Sequence, residues 1–159
     1  EKYAHFIGPY RKEEVRLFVK KGQASKMPLK HLRDLLKTRY LIAVEQGFYY
    51  GEVFKNLKSR AGFKRRIVEV EDTEQTVKLL QHNRVDGLLV DPITMRIFEN
   101  RFDLEGQFEA HPVSVLSNQV YLMVSKASVS PAHVKHLQQA FTSLSTSGEV
   151  EKMIREWTE

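Results

Sequence analysis

The sequence contains no cysteine. That excludes disulfides, cysteine-bound structural zinc and a thiol nucleophile together, and it suits an oxidising compartment as well as any other. No run of about 18 apolar residues occurs, so no transmembrane helix is expected. No internal repeat and no low-complexity linker interrupts the chain. No signal-peptide pattern stands at Glu1-Lys2-Tyr3, and a targeting segment is expected to have been removed or to lie outside this stretch. Chemistry-bearing motifs are also scarce. There is no phosphate loop or dinucleotide fingerprint, and Gly47 with Gly51 does not make one. Ser143 to Ser147 is rich in hydroxyls but has no Gly-x-Ser-x-Gly elbow. Glu13-Glu14 and Glu69, Glu71 and Asp72 read as solvated faces, not as paired acid and base. His133 and His136 have helical metal-ligand spacing, but no third ligand stands near them, and His5, His31, His82 and His111 are dispersed. The sequence therefore points to no enzyme, no metal and no cofactor.

The chain has 159 residues, 42% of them hydrophobic, enough for one ordinary domain or for one lobe plus part of another. Its net charge of +5 raises the question of an acidic partner such as nucleic acid. The basic residues are scattered, however. The densest cluster, Lys64-Arg65-Arg66, runs at once into Glu69, Glu71 and Asp72, with no aromatic-basic stacking motif. No nucleic acid is expected.

Apolar runs alternate with helical periodicity. Val15 to Val19 reads as a strand. Leu29, Leu32, Leu35 and Leu36 form a helical stripe after Pro28. Tyr40 to Val44 is a short, continuous apolar strand. Val53, Phe54, Leu57 and Ala61 sit at helical spacing, and Gly62 ends that helix. Arg66 to Val70 is a third strand. Thr76, Val77 and Leu80 share a helix face, with Asp72 and Gln75 spaced as its cap. Gly87 to Val90 is a strand again. Pro92 opens a helix whose buried face is Ile93, Ile97, Phe98 and Phe102. Short, fully apolar strands between amphipathic helices indicate a mainly parallel sheet covered on both faces, an α/β fold. After Gly106 the pattern changes. Phe108 to Leu116 is broken by Pro112, and Gln119 to Val124 is a separate strand. Two helices close the chain, one capped by Ser130-Pro131 with the stripe Val134, Leu137, Phe141 and Leu144. The other has Thr146 and Glu149 as a capping box, with Val150, Met153, Ile154 and Trp157 on one face.

In an open parallel sheet, ligands bind beyond the carboxyl ends of the strands. After Tyr40–Val44 comes Glu45-Gln46-Gly47-Phe48-Tyr49-Tyr50-Gly51, leading into a helix whose free N–H groups suit a carboxylate or other anion. After Gly87–Val90 comes Asp91, held before Pro92, whose carboxylate suits an ammonium or a hydroxyl. The pair is complementary to a zwitterion. On residue type alone, Asp before Pro is more often a helix N-cap than a ligand contact. Phe48, Tyr49 and Tyr50 are three adjacent aromatics that cannot all face inward, so at least one points to the crevice or to solvent.

Several passages, taken in order, resemble family 3 extracellular solute-binding proteins of the amino-acid-binding type. Tyr3 to Tyr10, then Val15 to Val19, is similar to their phenylalanine, proline-tyrosine and hinge-strand passage. Leu29 to Leu36 followed by Tyr40 to Gly47 resembles the entry into their second lobe. Asn83-Arg84-Val85-Asp86-Gly87-Leu88-Leu89-Val90-Asp91 resembles their Gly-Arg-Val-Asp-Ala, strand, Asp signature, with Asn83 for the usual glycine. Gly148-Glu149 to Trp157 resembles their last helix. The resemblance implies a type II periplasmic-binding-protein-like fold of two lobes joined by hinge strands, closing over ligand. It implies that the chain is N-terminally incomplete: 1–20 ends lobe one and forms the first hinge strand, 21–116 is lobe two, and 117–159 is the second hinge strand with the closing helices of lobe one. Another chain or fragment would then complete lobe one. It also implies that Asp91 grips the ligand's α-amino group, which turns the reading of that residue from cap to contact. The turn Gln46-Gly47-Phe48-Tyr49 matches one that grips the α-carboxylate, although Phe48 and Tyr49 stand where hydroxyl side chains are usual. With Tyr50, Asp72 and Thr73 these residues make up the expected site, and the departure favours a larger or stacking ligand. The implied role is a periplasmic receptor feeding an inner-membrane ABC permease. A sensor domain of a membrane receptor, a dehydratase-like enzyme of the same fold and a regulator's effector domain stay open as alternatives.

Overall fold

The structure, a computed structural model, describes residues 2–158 without the side chains of Trp157 and Thr158, so the expected burial of Trp157 lies outside the described residues. The elements are β1 (Ala4–Lys20), short 3-10 segments at Ala24–Lys26 and Leu32–Lys37, β2 (Ile42–Glu45), α1 (Gly51–Lys58), α2 (Ala61–Lys64), β3 (Ile67–Val70), α3 (Thr73–Gln81), β4 (Gly87–Val90), α4 (Pro92–Arg101), β5 (Phe108–Ser125), α5 (Pro131–Thr146) and α6 (Glu149–Thr158). They fall into two compact units, Glu14–Ser117 and Glu1–Glu13 with Asn118–Glu159.

The larger unit is built on a sheet of order β3-β2-β4-β1-β5. Strand β2 pairs in parallel with β3 on one side and β4 on the other, and β1 runs antiparallel to β4. The expected mixed, mainly parallel sheet between helices is what forms. Strand side chains alternate between two cores. Ile42, Val44, Leu89, Val15, Leu17 and Val19 pack with Phe54, Leu57 and Phe63 of α1 and α2. Ala43, Leu88, Val90 and Phe18 pack with Val77 and Leu80 of α3 and Met95 of α4. Both faces are covered, which is why Ile42–Val44 of β2 and all of β4 are apolar at successive positions and not at every second one.

Several local expectations are corrected. The leucine stripe forms a 3-10 segment over Leu32–Lys37, not an α-helix: Asp34 Oδ2 accepts from the Lys30 and His31 amides, pinning a tight first turn. Leu29, Leu32 and Leu35 are buried nonetheless. The helix expected over Val53–Ala61 stops at Lys58, and Gly62 lies inside α2 instead of ending α1. That break lets Phe63 turn inward edge-on to Phe54, with ring centroids 5.6 Å apart, while Val53 is 64% exposed. On α4 the inward residue is Met95, and Ile97 is 53% exposed. Met95, Phe98 and Phe102 follow i, i+3, i+7 spacing, and Ile97 falls off that stripe. Pro112 does not break a strand, because β5 runs through it at the sheet edge, where a missing N–H is tolerated. Next to it, buried His111 is held by Met27 O at Nε2 and accepts from Val113 N at Nδ1. Strand β1 extends well before Val15, and Gln119–Val124 belongs to β5.

In the smaller unit, Ile7, Val124 and Val134 form the buried cluster, with Val129 and Phe141 at its margin. Leu137, Leu144 and Met153 remain exposed. Ser130 caps α5 by accepting from His133 N. The Thr146–Glu149 capping box is not made: Thr146 ends α5 and its hydroxyl donates to Thr142 O.

Local stability should follow this division of apolar burial. Hydrogen exchange is expected to be slowest for the amides of β2 and β4 and clearly faster for α5 and α6. Equal protection of both sets would contradict this account.

Candidate functional site

The carboxyl ends of β3, β2 and β4 stand side by side. Glu45 lies beside Val70, and Gln46 N donates to Val70 O at 2.8 Å. Ile42 pairs with Gly87 and Ala43 with Leu88. Continued one residue at a time, that register sets Glu45 beside Val90 and Gln46 beside Asp91. The chain leaves β2 through α1 and α2 on one face, and leaves β4 through α4 on the other. Adjacent parallel strands whose connections diverge in this way open a crevice outside their carboxyl ends, the usual place for a ligand in such sheets. Gln46–Tyr50 and Asp91 flank it.

The turn after β2 is shaped by glycines at both ends. Gly47 has φ +81° and Gly51 φ +91°, values that side chains with a Cβ rarely adopt, and open space lies where a Gly47 Cβ would stand. Of the three aromatics, Phe48 and Tyr49 are 44% and 52% exposed, whereas Tyr50 is 4% exposed. Tyr50 braces the turn from beneath: its hydroxyl accepts from Glu45 N at 2.8 Å, and burial pushes its pKa up to about 12. The Tyr49 hydroxyl donates to Glu52 Oε1 at 3.2 Å. Local desolvation, and then the Glu52 carboxylate, raise its pKa above the usual phenol value.

The three helices that start at this end of the sheet differ in how they begin. Asp72 caps α3, its Oδ1 accepting from Gln75 N at 2.8 Å and its Oδ2 from Gln75 Nε2 at 3.2 Å. Asp91 caps α4, its Oδ1 accepting from Ile93 N at 3.0 Å and Thr94 N at 3.3 Å. No side chain caps α1. The first-turn amides of α1 therefore have no side-chain cap, and Gly51 itself is buried against Leu116. Thr73, the first residue of α3, donates its hydroxyl to Glu45 Oε2 and so ties α3 to β2. Residue types alone did not reveal this contact. The parity of β2 could have: Ile42 and Val44 face α1, so Glu45 faces α3, as Ala43 does.

Gln46–Tyr49 thus follow β2 and Asp91 follows β4, its parallel neighbour, while Tyr50 is buried beneath the turn and Asp72 and Thr73 follow β3. His133 is engaged by Ser130 Oγ through Nδ1 at 2.8 Å, and no group of three or more potential metal ligands occurs among the described residues. No helix among them is long and apolar enough to cross a membrane. A cavity of about 320 Å³ opens at the opposite, amino-terminal end of β2 and β4, lined in part by Lys20, Lys26, Tyr40 and Asp86. It is remote from these groups, and its one carboxylate already accepts from Leu41 N at 2.7 Å.

No protein-family model matches the sequence, and no curated protein matches it. Solved structures do match in shape. A variant of ArgBP from T. maritima is similar over 98% of this chain and 62% of its own, with 21% identity and a TM-score of 0.70. The amino acid ABC transporter substrate-binding protein AbpA from Streptococcus pneumoniae, bound to L-arginine, is similar over 99% and 62%, with 18% identity and a TM-score of 0.72. The GluR0 ligand-binding core with L-glutamate is similar over 100% and 66%, with 15% identity and a TM-score of 0.73. This chain spans under two thirds of each of these structures. The likeness shows a type II periplasmic-binding-protein-like fold.

Replacing Tyr50 by Phe leaves the Glu45 N–H without an acceptor in a buried place, and should destabilise the protein by about 1–3 kcal/mol in denaturant unfolding. Because the folded-state pKa of Tyr50 is raised, the unfolded chain releases that proton first, so stability should fall as pH rises from 10 towards about 12. The decline should be shallower in Tyr50→Phe, and an identical pH profile would contradict the assignment.

Proposed function

We propose that this chain, with its type II binding-protein fold, is the ligand-gripping part of a family 3 extracellular solute-binding protein that captures an amino acid or similar small polar solute. One observation carries the reading. The turn that leads to an uncapped helix start, and a carboxylate, directly follow adjacent parallel strands at the point where the chain's connections diverge. The first suits a ligand carboxylate, donated to by backbone N–H groups. The second, Asp91, suits an ammonium. Gln46 and Gly47 shape the carboxylate pocket, Phe48 and Tyr49 border it, and Asp72 and Thr73 hold its β3 side. L-arginine and L-glutamate, the ligands of the similar proteins, belong to the proposed class.

In this reading the larger unit is lobe two, the smaller is part of lobe one, and β1 and β5 supply the hinge strands. The exposed Leu137, Leu144 and Met153 of the smaller unit are then covered by the rest of lobe one, from another chain or fragment. The setting is the periplasm and the partner an inner-membrane ABC permease. The protein binds and releases its solute without chemical change. A second reading, the ligand domain of a membrane receptor, draws on the equal likeness to the GluR0 core.

The test uses the full-length protein and a panel of L-amino acids in titration calorimetry. At least one should bind. Asp91→Asn keeps an oxygen for the α4 cap but removes the charge, and should weaken that binding by about 1.5–3 kcal/mol. Unchanged affinity in Asp91→Asn, or no binding across the panel, would overturn the reading.

A further inference from the structure

We propose that the cavity at the amino-terminal ends of β2 and β4 is a second binding site, for a small organic anion: a carboxylate carried on an apolar body. It lies wholly within the larger unit, at the end of the sheet away from the crevice, and does not depend on what the crevice binds. Its volume of about 320 Å³ is at the small end of the range for ligand pockets. Part of its lining is apolar and buried: Met27, Leu80 and Val85 are 4%, 1% and 6% exposed. The polar part is rich in donors, with the ammonium groups of Lys20 and Lys26 and the amides of Gln23 and Asn83.

Charge sets the sign of the ligand. Among the described residues, neither Lys20 nor Lys26 takes part in an ion pair. The one carboxylate in the lining, Asp86, is engaged with backbone: its Oδ2 accepts from Leu41 N at 2.7 Å, and its own N–H donates to Leu41 O at 2.8 Å. Two cations against one engaged carboxylate leave a positive lining that suits an anion. The apolar residues then narrow the class. Inorganic phosphate, hydrated on every side, gains nothing from Met27, Leu80 and Val85, whereas an apolar body leaving water does.

The walls are set before any ligand arrives. The segment carrying Gln23, Lys26 and Met27 is tied to β5 by two side chains on one face of that strand. Glu109 Oε1 accepts from Ala24 N at 2.9 Å, and buried His111 holds Met27 O through Nε2 at 2.8 Å. Lys21 N donates to Gln107 O at 2.8 Å, and the Tyr40 hydroxyl donates to Lys26 O at 3.2 Å. A segment fastened at these points cannot fold into the cavity and fill it. The cost of ordering it is met by the fold and not by the ligand.

Amide-resolved NMR of the full-length protein, titrated with isovalerate, isovaleramide or inorganic phosphate, tests the proposal. Isovalerate should shift the amides of residues 21–27, 40–41 and 83–86 saturably, and bind at least about tenfold tighter than either comparison compound. Lys20→Gln combined with Lys26→Gln should weaken it by about tenfold or more, while Lys20→Arg combined with Lys26→Arg should retain it. Amide shifts preserved elsewhere in each variant exclude a folding defect. No saturable shift, or shifts confined to residues 46–51 and 91–94, overturns the proposal. So does isovaleramide or phosphate binding as tightly as isovalerate, or undiminished binding when both lysines are glutamine.

Discussion

Parallel pairing of β2 with β4, Ile42 beside Gly87 and Ala43 beside Leu88, brings the ends of two strands that are distant in sequence to one level. Everything proposed for the crevice depends on that register. A slip of one residue would reverse which core each side chain of β4 enters, moving Leu88 and Val90 to the face of Leu89. Both faces are dry, so such a slip is strongly opposed by packing. The hydrophobic cores thereby fix the two strands that these polar segments follow.

Electrostatics then divides the crevice. Each of the three helices opening on it has first-turn amides that need partners. For α3 and α4 those partners are Asp72 and Asp91, supplied by the chain itself. For α1 the chain supplies no side chain, and the turn before it bends at Gly47 with open space beside that glycine. The proposed function gives the start of α1 to the ligand's carboxylate and Asp91 to its ammonium. A small molecule carrying both charges satisfies the two preferences at once. Asp91 Oδ1 accepts both of these α4 amides.

Much of this was legible in the sequence. The apolar runs Tyr40–Val44 and Gly87–Val90 announce strands buried on both faces, and Asp72 and Asp91 announce helix starts through their spacing to Gln75 and Pro92. Asn83, where the resembled pattern has glycine, adopts φ +56°, a left-handed conformation that asparagine tolerates better than most residues. What escaped the sequence depended on tertiary context. Pro112 reads as a break, but an edge strand does not need its N–H. Ile97 looks like core until Met95 is seen to set the inward stripe of α4. The three aromatics after Gly47 could not be sorted without coordinates, since adjacent positions carry no periodic signal. Only the contact with Phe54 shows that Tyr50 goes in while Phe48 stays out.

The most direct test of the crevice is an experimental structure of the full-length protein with its tightest-binding amino acid. The account predicts ligand density outside the carboxyl ends of β2 and β4, with the carboxylate against the Gly47–Gly51 turn and the ammonium against Asp91. Density confined to the amino-terminal end of the sheet, around Lys20, Lys26 and Tyr40, would contradict it.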